Sequence, residues 1–277
     1  MSNIDKISGY ETIPPQAKNF PIKIRKYGIS GGVTPHWHEH LEMLFFLSGH
    51  TSVIVNGKTV KVSPGDVIVV NGTEVHSFLY AGELTEYLCL IIYPKFFSDI
   101  DAEGTLIENY LGHDATALGY AKSIYDAYTE GGAVNAMRQK SLAYALMSYL
   151  TENYVAERMT EQRRQRRTAA LDRLDSVLEY VSLHHGEPLT TRDLAAVCYL
   201  SESQFCRFFK SATGKSALEY VSEYRIERAA VLLSNTDLSI SEIAAGVGFL
   251  DQNYFSRIFK RHKGMTPKEY RASSTKE

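Results

Sequence analysis

LSISEIAAGVGFLDQNYFSRIFKRHKGMTPKEY, residues Leu238–Tyr270, decides how the chain folds, because the chain contains this text twice. The earlier copy is LTTRDLAAVCYLSESQFCRFFKSATGKSALEY, Leu189–Tyr220. Phe205 matches Phe255, Arg207 matches Arg257, Lys210 matches Lys260, Gly214 matches Gly264 and Tyr220 matches Tyr270, about 50 positions apart. Two copies make a paired motif rather than a solenoid.

Each copy carries its own start and stop signals. Thr190 with Asp193, and Ser239 with Glu242, have capping-box spacing, in which side chains occupy orphan backbone N–H groups at a helix start. Leu189/Leu194 and Leu238/Ile243 are spaced as hydrophobic staples across those caps. Ser201 and Asp251 read as N-caps of a second helix, stapled by Leu200/Phe205 and Leu250/Phe255. Those helices should end near Gly214 and Gly264, where glycine accepts the left-handed conformation. Cys198–Tyr199 and Gly248–Phe249 are the expected turns. Helix, turn, helix is thus predicted twice.

The second helices are two-faced. Phe255, Ile258 and Phe259 share one side, while Asn253, Ser256, Arg257, Lys260 and Arg261 share the other. In the first copy Phe205, Phe208 and Phe209 face inward, and Ser203, Cys206, Arg207, Lys210 and Ser211 face outward. Such a strip suits the DNA major groove. Arg can grip a guanine edge with two hydrogen bonds, Asn or Gln an adenine edge, and Lys a phosphate. For one helix alone a surface with ordinary solvated charges would be the simpler reading; the same caps, turn and strip in two helices argue against it.

The segment from about Leu171 to Ala272 resembles the double helix-turn-helix DNA-binding domain of AraC-type transcriptional regulators. LTTRDLA, SESQFCRFFK, YRIERAAVLL, DLSISEIAAGVGF and DQNYFSRIFKRHKGMTPKEYR carry the likeness. The resemblance implies binding of double-stranded DNA through Ser203, Gln204, Cys206, Arg207 and Lys210 in the first copy. In the second it implies Gln252, Asn253, Ser256, Arg257, Lys260 and Arg261. Cys198 and Tyr199 replace the usual glycine-containing turn, and Cys206 stands where a longer polar base reader is common.

The 277 residues, 44% of them hydrophobic, suit two domains with a core each. A formal net charge of −2 advertises no nucleic acid globally, so DNA affinity must come from local basic strips. The three cysteines, Cys89, Cys198 and Cys206, form no CxxC pair and fit a reducing compartment. The first residues, MSNIDKISGYETIPPQ, lack the basic and apolar regions of a signal peptide, and no apolar run approaches membrane-spanning length. The expectation is a cytoplasmic protein with no membrane partner.

Residues 1–20 read as a polar arm. From Phe20 to about Tyr93 short apolar or mixed runs alternate with turn chemistry such as Asn56–Gly57 and Ser63-Pro64-Gly65-Asp66. Many short strands at even spacing predict a sandwich or barrel. Inside this region lie His36-Trp37-His38-Glu39-His40-Leu41-Glu42, Pro64-Gly65-Asp66 and Asn71-Gly72-Thr73-Glu74-Val75-His76. These resemble the two cupin motifs, although Gly72 and His76 are four steps apart rather than three. Strand alternation predicts His36, His38 and Glu42 on one face, with His76 converging and Trp37 on the opposite face. Three imidazoles and a carboxylate can bind a first-row divalent ion, or form a metal-free polar patch for an effector. The likeness to sensor cupins fused to AraC-type domains implies the latter, so no cofactor is assigned and a divalent metal stays a candidate at that site.

Residues 101–157 are expected to be helical, with stripes Leu118, Ala121, Tyr125, Tyr128 and Leu142, Ala145, Leu146, Tyr149, Tyr154. The resemblance implies dimerisation there, beside packing on the barrel. Residues 158–170 form a charged linker whose RRQRR run is read as a solvated hinge or helix extension. From Leu171 the DNA-binding domain begins, and Ala217 to Leu233 reads as one helix capped by Ser216 and Glu219. At 1.5 Å per residue that rod is about 25 Å long and can hold two reading helices near successive major grooves, about 34 Å apart.

The resulting expectation is an α+β, two-domain protein. A cupin-like effector-binding β-barrel (21–100) and helical region (101–157) precede an all-α domain (171–272) with two helix-turn-helix motifs. It would be a homodimeric, ligand-responsive transcription factor, its effector a sugar or related metabolite, acting through DNA and RNA polymerase. The rival is a metal-dependent cupin oxygenase or isomerase with a DNA-binding tail. No catalytic residue is assigned.

Overall fold

The computed structural model describes residues 11, 20–29, 31–79, 82–97, 105–158 and 160–274. The expected N-terminal arm therefore lies outside the described residues, apart from Glu11 and Phe20. Among the described residues no helix is long and apolar enough to cross a membrane.

Alternation builds the N-terminal domain. Strands β1 (Ile22–Ile29), β2 (Val33–His36), β3 (Leu41–Ser48), β4 (Thr51–Val55), β5 (Lys58–Val62), β6 (Asp66–Val70), β7 (His76–Leu79) and β8 (Thr85–Ile92) follow the expected runs. Two further strands, β9 (Thr105–Ile107) and β10 (Tyr110–His113), come next. A five-stranded sheet, β1-β8-β3-β6-β10, faces a four-stranded one, β2-β7-β4-β5. Leu44, Phe46, Ile68 and Val70 of the first pack on Val53, Val55, Val62 and Phe78 of the second. The sheet-rich N-terminal domain is as expected, but the expected barrel is corrected to two facing sheets, which hydrogen bonds do not close into one ring among the described residues.

The other face of the large sheet carries Met43, Phe45, Val67, Val69, Leu88 and Leu90. It is covered by α1 (Ala115–Glu130) and α2 (Gly132–Asn153). Their fully buried positions are Ala117, Ala121, Ile124 and Ala127, then Ala143, Leu146 and Leu150. Leu118, Tyr125, Tyr128, Leu142 and Tyr149 flank that stripe and are partly buried, so the expected stripe is rotated by about one position. The expectation of helix from residue 101 is corrected at Thr105–His113, which is β: β10 pairs with β6 and β9 with β11 (Val155–Arg158). Strands of three or four residues are too short to show a period.

The charged linker is helical. Helix α3 runs unbroken from Glu161 to His184, capped by Thr160, whose hydroxyl accepts from Arg163 N. Leu171, Leu174, Leu178 and Val181 are its buried stripe, as expected. Then follow α4 (Thr191–Val197), α5 (Glu202–Thr213), α6 (Ala217–Asn235), α7 (Ile240–Gly246), α8 (Gln252–Lys263) and α9 (Pro267–Ser274). Capping boxes at Thr190/Asp193, Ser216/Glu219 and Ser239/Glu242 form as the spacing requires, each replacing water at a helix start for about 1 kcal/mol. Gly214 and Gly264 end α5 and α8 at φ 78° and 75°.

Two cores result in the helical domain. Phe205 and Phe209 pack with α3, α4 and the start of α6, while Phe255, Ile258 and Phe259 pack with α7 and the end of α6. Arg225 of α6 joins the halves: its Nε donates to His185 O at 2.7 Å and its Nη2 to Glu187 O at 2.6 Å. A Cβ on Gly248 would sit 2.5 Å from that same His185 oxygen, so the second turn fits only without a side chain.

Candidate functional site

The second helix of each copy exposes the strip that its spacing predicts, apart from the half-buried Ser256. On α5, Ser203, Cys206, Arg207 and Lys210 are exposed over a floor of buried Phe205 and Phe209, with Phe208 half-buried. On α8, Gln252, Asn253, Arg257, Lys260 and Arg261 are exposed over Phe255, Ile258 and Phe259. The Arg257 guanidinium lies 5.8 Å from the Tyr254 ring centroid, which steadies it at the surface. Two expected readers are spent locally. Gln204 Oε1 accepts from Ser201 N (3.2 Å) and Oγ (2.8 Å) in a further capping box, and Ser256 Oγ donates to Gln252 O at 2.9 Å.

The turns correct the sequence register. Tyr199, at φ 55°, and Gly248, at φ 90°, occupy equivalent left-handed positions, since their N–H groups donate to Ala196 O and Ala245 O. Cys198 is instead buried as the C-cap of α4. The second copy therefore has one extra turn residue, Leu250, and it is 100% exposed. The expected Leu250/Phe255 staple does not form; Phe249 takes the place, its ring 5.2 Å from that of Phe255. Leu250 and Tyr199 (96% exposed) are large apolar side chains offered to solvent beside the reading helices.

In the sensor, His36 ends β2, His38 lies between β2 and β3, Glu42 is on β3 and His76 starts β7. Strand alternation alone does not gather them, because His38 is outside both strands. The link between the sheets does. His38 Nε2 is 2.8 Å and His76 Nε2 3.1 Å from Glu42 Oε2, and His36 Nε2 is 3.1 Å from Glu11 Oε2. His38, Glu42 and His76 offer ligand atoms all within 4.8 Å of one another. All four expected residues are buried.

The histidine tautomers follow from their outer nitrogens. Nδ1 of His36, His38 and His76 lies 3.0, 3.1 and 3.0 Å from the carbonyls of Thr34, His40 and Glu74. A neutral imidazole donates from one nitrogen only, so with Nδ1–H on a carbonyl each Nε2 bears a lone pair. A lone pair against a carboxylate is repulsive. The centre is therefore stable when a proton or a cation stands between them. Burial disfavours the ionised Glu42, yet its hydrogen bond to His38 and the His76 imidazole beside it outweigh that and hold it well below the usual carboxylate range. Burial likewise opposes the His76 cation, and Glu42 lifts it above its ordinary value.

Three further groups complete the centre. Cys89 Sγ donates to Glu42 Oε1 at 3.0 Å, and burial, then the Glu42 charge, push its thiol well above the usual range. His40 stacks on His38 with centroids 5.6 Å apart, and burial, then His38, bring it down to about 4. His40 was visible in the same HWHEH run; Glu11 and Cys89 carried no local signal.

Hydrogen bonds link the centre to the helical domain. Thr73 N donates to His38 O at 2.7 Å, and Arg167 of α3 donates from Nε to Thr73 O at 3.0 Å. Trp37 points away from the imidazoles, as expected, and with Val75 packs into the core of the first helix-turn-helix beside Leu171 and Leu174. At the Asn56–Gly57 hairpin tip a Cβ on Gly57 would lie 2.5 Å from Ser211 O at the end of α5.

Residues 194–273 match the model of a helix-turn-helix domain and residues 26–93 that of a cupin domain. An uncharacterized HTH-type transcriptional regulator, YdeC of Bacillus subtilis, is 26% identical over 97% of this chain and 96% of its own. The probable transcriptional regulator LumQ of Photobacterium leiognathi is 26% identical over 86% of this chain and 91% of its own. A solved transcriptional regulator from Chromobacterium violaceum, of a class with AraC-type DNA-binding domains, is 31% identical over 39% of this chain and 97% of its own, with a TM-score of 0.38.

Proposed function

For this chain, an AraC-type helix-turn-helix transcriptional regulator with a cupin domain ahead of its DNA-binding domain, we propose that the buried His/Glu centre is the effector site. Its occupancy acts on DNA binding through the Asn71–His76 loop. The observation that carries this reading is the continuity of that loop: His76 ends in the centre while Thr73 and Glu74 hold Arg167 on the helix that enters the first helix-turn-helix.

In this reading Arg207, Lys210, Asn253, Arg257, Lys260 and Arg261 contact base edges and phosphates. The 19 residues of α6 form a rod about 28 Å long between the two reading helices, near one turn of DNA. The effector is a polar small molecule, a sugar or related metabolite, whose hydroxyls replace the proton-mediated contacts among Glu42, His36, His38 and His76. The same donor set fits a first-row divalent ion, which would neutralise Glu42 and take the Nε2 lone pairs. The protein acts as a regulator rather than an enzyme, in the cytoplasm. It works as a homodimer through the exposed Val134, Met137 and Tyr144 face of α2, and through contact with RNA polymerase.

A thermal-shift screen of wild type and His38→Ala against sugars, polar metabolites and divalent ions tests the assignment. A ligand that stabilises only the wild type, with operator affinity of the variant unchanged in its absence, is the expected result. A ligand that stabilises both equally would place the effector elsewhere, and stoichiometric metal together with substrate turnover would favour the enzyme reading.

A further inference from the structure

Two large apolar side chains are more exposed than any other among the described residues. Leu250 is 100% exposed and Tyr199 96%, against 68% for Val134, the next. Tyr199 lies in the turn between α4 and α5, and Leu250 in the turn between α7 and α8. Each stands within two residues of a reading-helix cap, Ser201 or Asp251.

Neither serves the fold. Tyr199 holds a left-handed backbone, φ 55°, which a residue with a bulky side chain adopts only at a cost. The second copy makes the same turn with Gly248, at φ 90°, so the turn needs no tyrosine. Leu250 is the extra residue of its turn, and Phe249 already fills the staple against Phe255. In the first copy the residue before the cap, Leu200, is half-buried and packs on the core. Backbone strain with no return in packing points to a role outside the chain's own core.

The duplication selects the partner. A surface feature repeated once per helix-turn-helix fits a partner that repeats at the same interval, and duplex DNA repeats every turn, about 34 Å. The turns are also continuous with the exposed strips, which begin at Ser203 on α5 and at Gln252 and Asn253 on α8. The neighbouring carboxylates are compensated. Glu202 pairs with Arg192 at 3.1 Å, and Asp251 caps α8, accepting from Tyr254 N. In the major groove the thymine C5-methyl is the apolar feature, and tyrosine hydroxyls donate to phosphate oxygens.

We propose that both turns are DNA contacts. Leu250 packs on a thymine methyl at the edge of the second half-site. Tyr199 donates its hydroxyl to a phosphate flanking the first. The inference rests on DNA reading through α5 and α8 and extends it: Leu250 adds a base preference, and Tyr199 adds affinity without one.

The test titrates the full-length protein, at one salt concentration, with the site it selects from random DNA. Parallel copies of that site carry deoxyuridine, which lacks the methyl, in place of each thymine in turn. Wild type should lose about fourfold at one position, the worth of one buried methyl group, and Leu250→Ala should be indifferent there. Tyr199→Phe keeps ring and backbone, and should weaken the selected site and random DNA alike by about fivefold, the worth of one neutral hydrogen bond. Its salt slope should match wild type, since no charge is removed. Wild type indifferent to every deoxyuridine, Leu250→Ala still sensitive, or Tyr199→Phe with wild-type affinity would each overturn the proposal. So would unchanged DNA binding with weaker transcription by purified RNA polymerase, which would assign the turns to the polymerase. Arg257→Ala in the same titration separates the two levels: its loss alone overturns this inference, and no loss in any variant overturns the reading beneath it.

Discussion

Arg167 of the linker helix lies 3.4 Å from Glu74 of the sensor loop, two positions before His76. The two partners are unequal. Glu74 is 4% exposed and satisfies four amide donors, whereas Arg167 reaches one carbonyl. Glu74→Ala should cost about 2–4 kcal/mol in urea unfolding, because it orphans buried donors, and Arg167→Ala about 1 kcal/mol. The reverse order would show that the ion pair, not the amide cradle, holds the loop.

Gly57 sets the contact between the hairpin tip and α5. Its φ of 75° and the 2.5 Å approach to Ser211 O mean that Gly57→Ala must lift the hairpin. Gly82 has φ 80° and nothing within 4 Å, so Gly82→Ala carries backbone strain without a clash. Hydrogen exchange at residues 210–214 should accelerate in the first variant and not in the second. Equal exchange in both would mean that the two halves do not rest on this contact.

Asp114 caps α1, accepting from Ala117 N at 2.8 Å and from the hydroxyls of Tyr149 (2.9 Å) and Tyr154 (2.6 Å). Burial alone would raise its pKa, but these donors outweigh it and hold the carboxyl below its ordinary value. A folded-state pKa below the unfolded one, about 3.9, gives stability that is present above that pH and lost as pH falls toward the folded value. Asp114→Ala should therefore cost about 1–2 kcal/mol at neutral pH, and the gap to wild type should narrow below about pH 4. A gap that widens on acidification would contradict the assignment.

Tyr199 holds a left-handed backbone at φ 55° with its side chain 96% exposed. It forfeits almost no packing when removed, so relief of the strain decides the sign. Tyr199→Gly should stabilise the protein by about 0.5–1 kcal/mol in urea unfolding. A destabilised variant would mean that the tyrosine makes a contact worth more than the strain.

What the sequence disclosed was local chemistry. Thr190, Ser201, Ser216, Ser239 and Asp251 cap helices because capping needs only a side chain three residues from an N–H. Gly214 and Gly264 end helices for an equally local reason. His36, His38, Glu42 and His76 were legible because their types and spacing survive without a fold. Cys89 and Glu74 were not: Cys89 meets Glu42 from 47 positions away, and Glu74 acts through residues of three other segments. The strands from Thr105 to His113 hid because three or four residues show no alternation. Leu250 misled because one inserted residue shifts a staple without disturbing the period of the helices around it. The linker resolved into helix because Arg163, Arg166 and Arg167 are good helix formers and a cap at Thr160 precedes them.

The proposed regulation rests on two exposed arginines, Arg207 of α5 and Arg257 of α8, as base readers. The direct measurement is specific binding of wild type, Arg207→Ala and Arg257→Ala to a site selected by the full-length protein from random DNA, titrated at one fixed salt concentration. Each variant should lose about 1–3 kcal/mol and tolerate substitution at one base pair that the wild type refuses. Affinity and base preference unchanged in both variants would contradict the account.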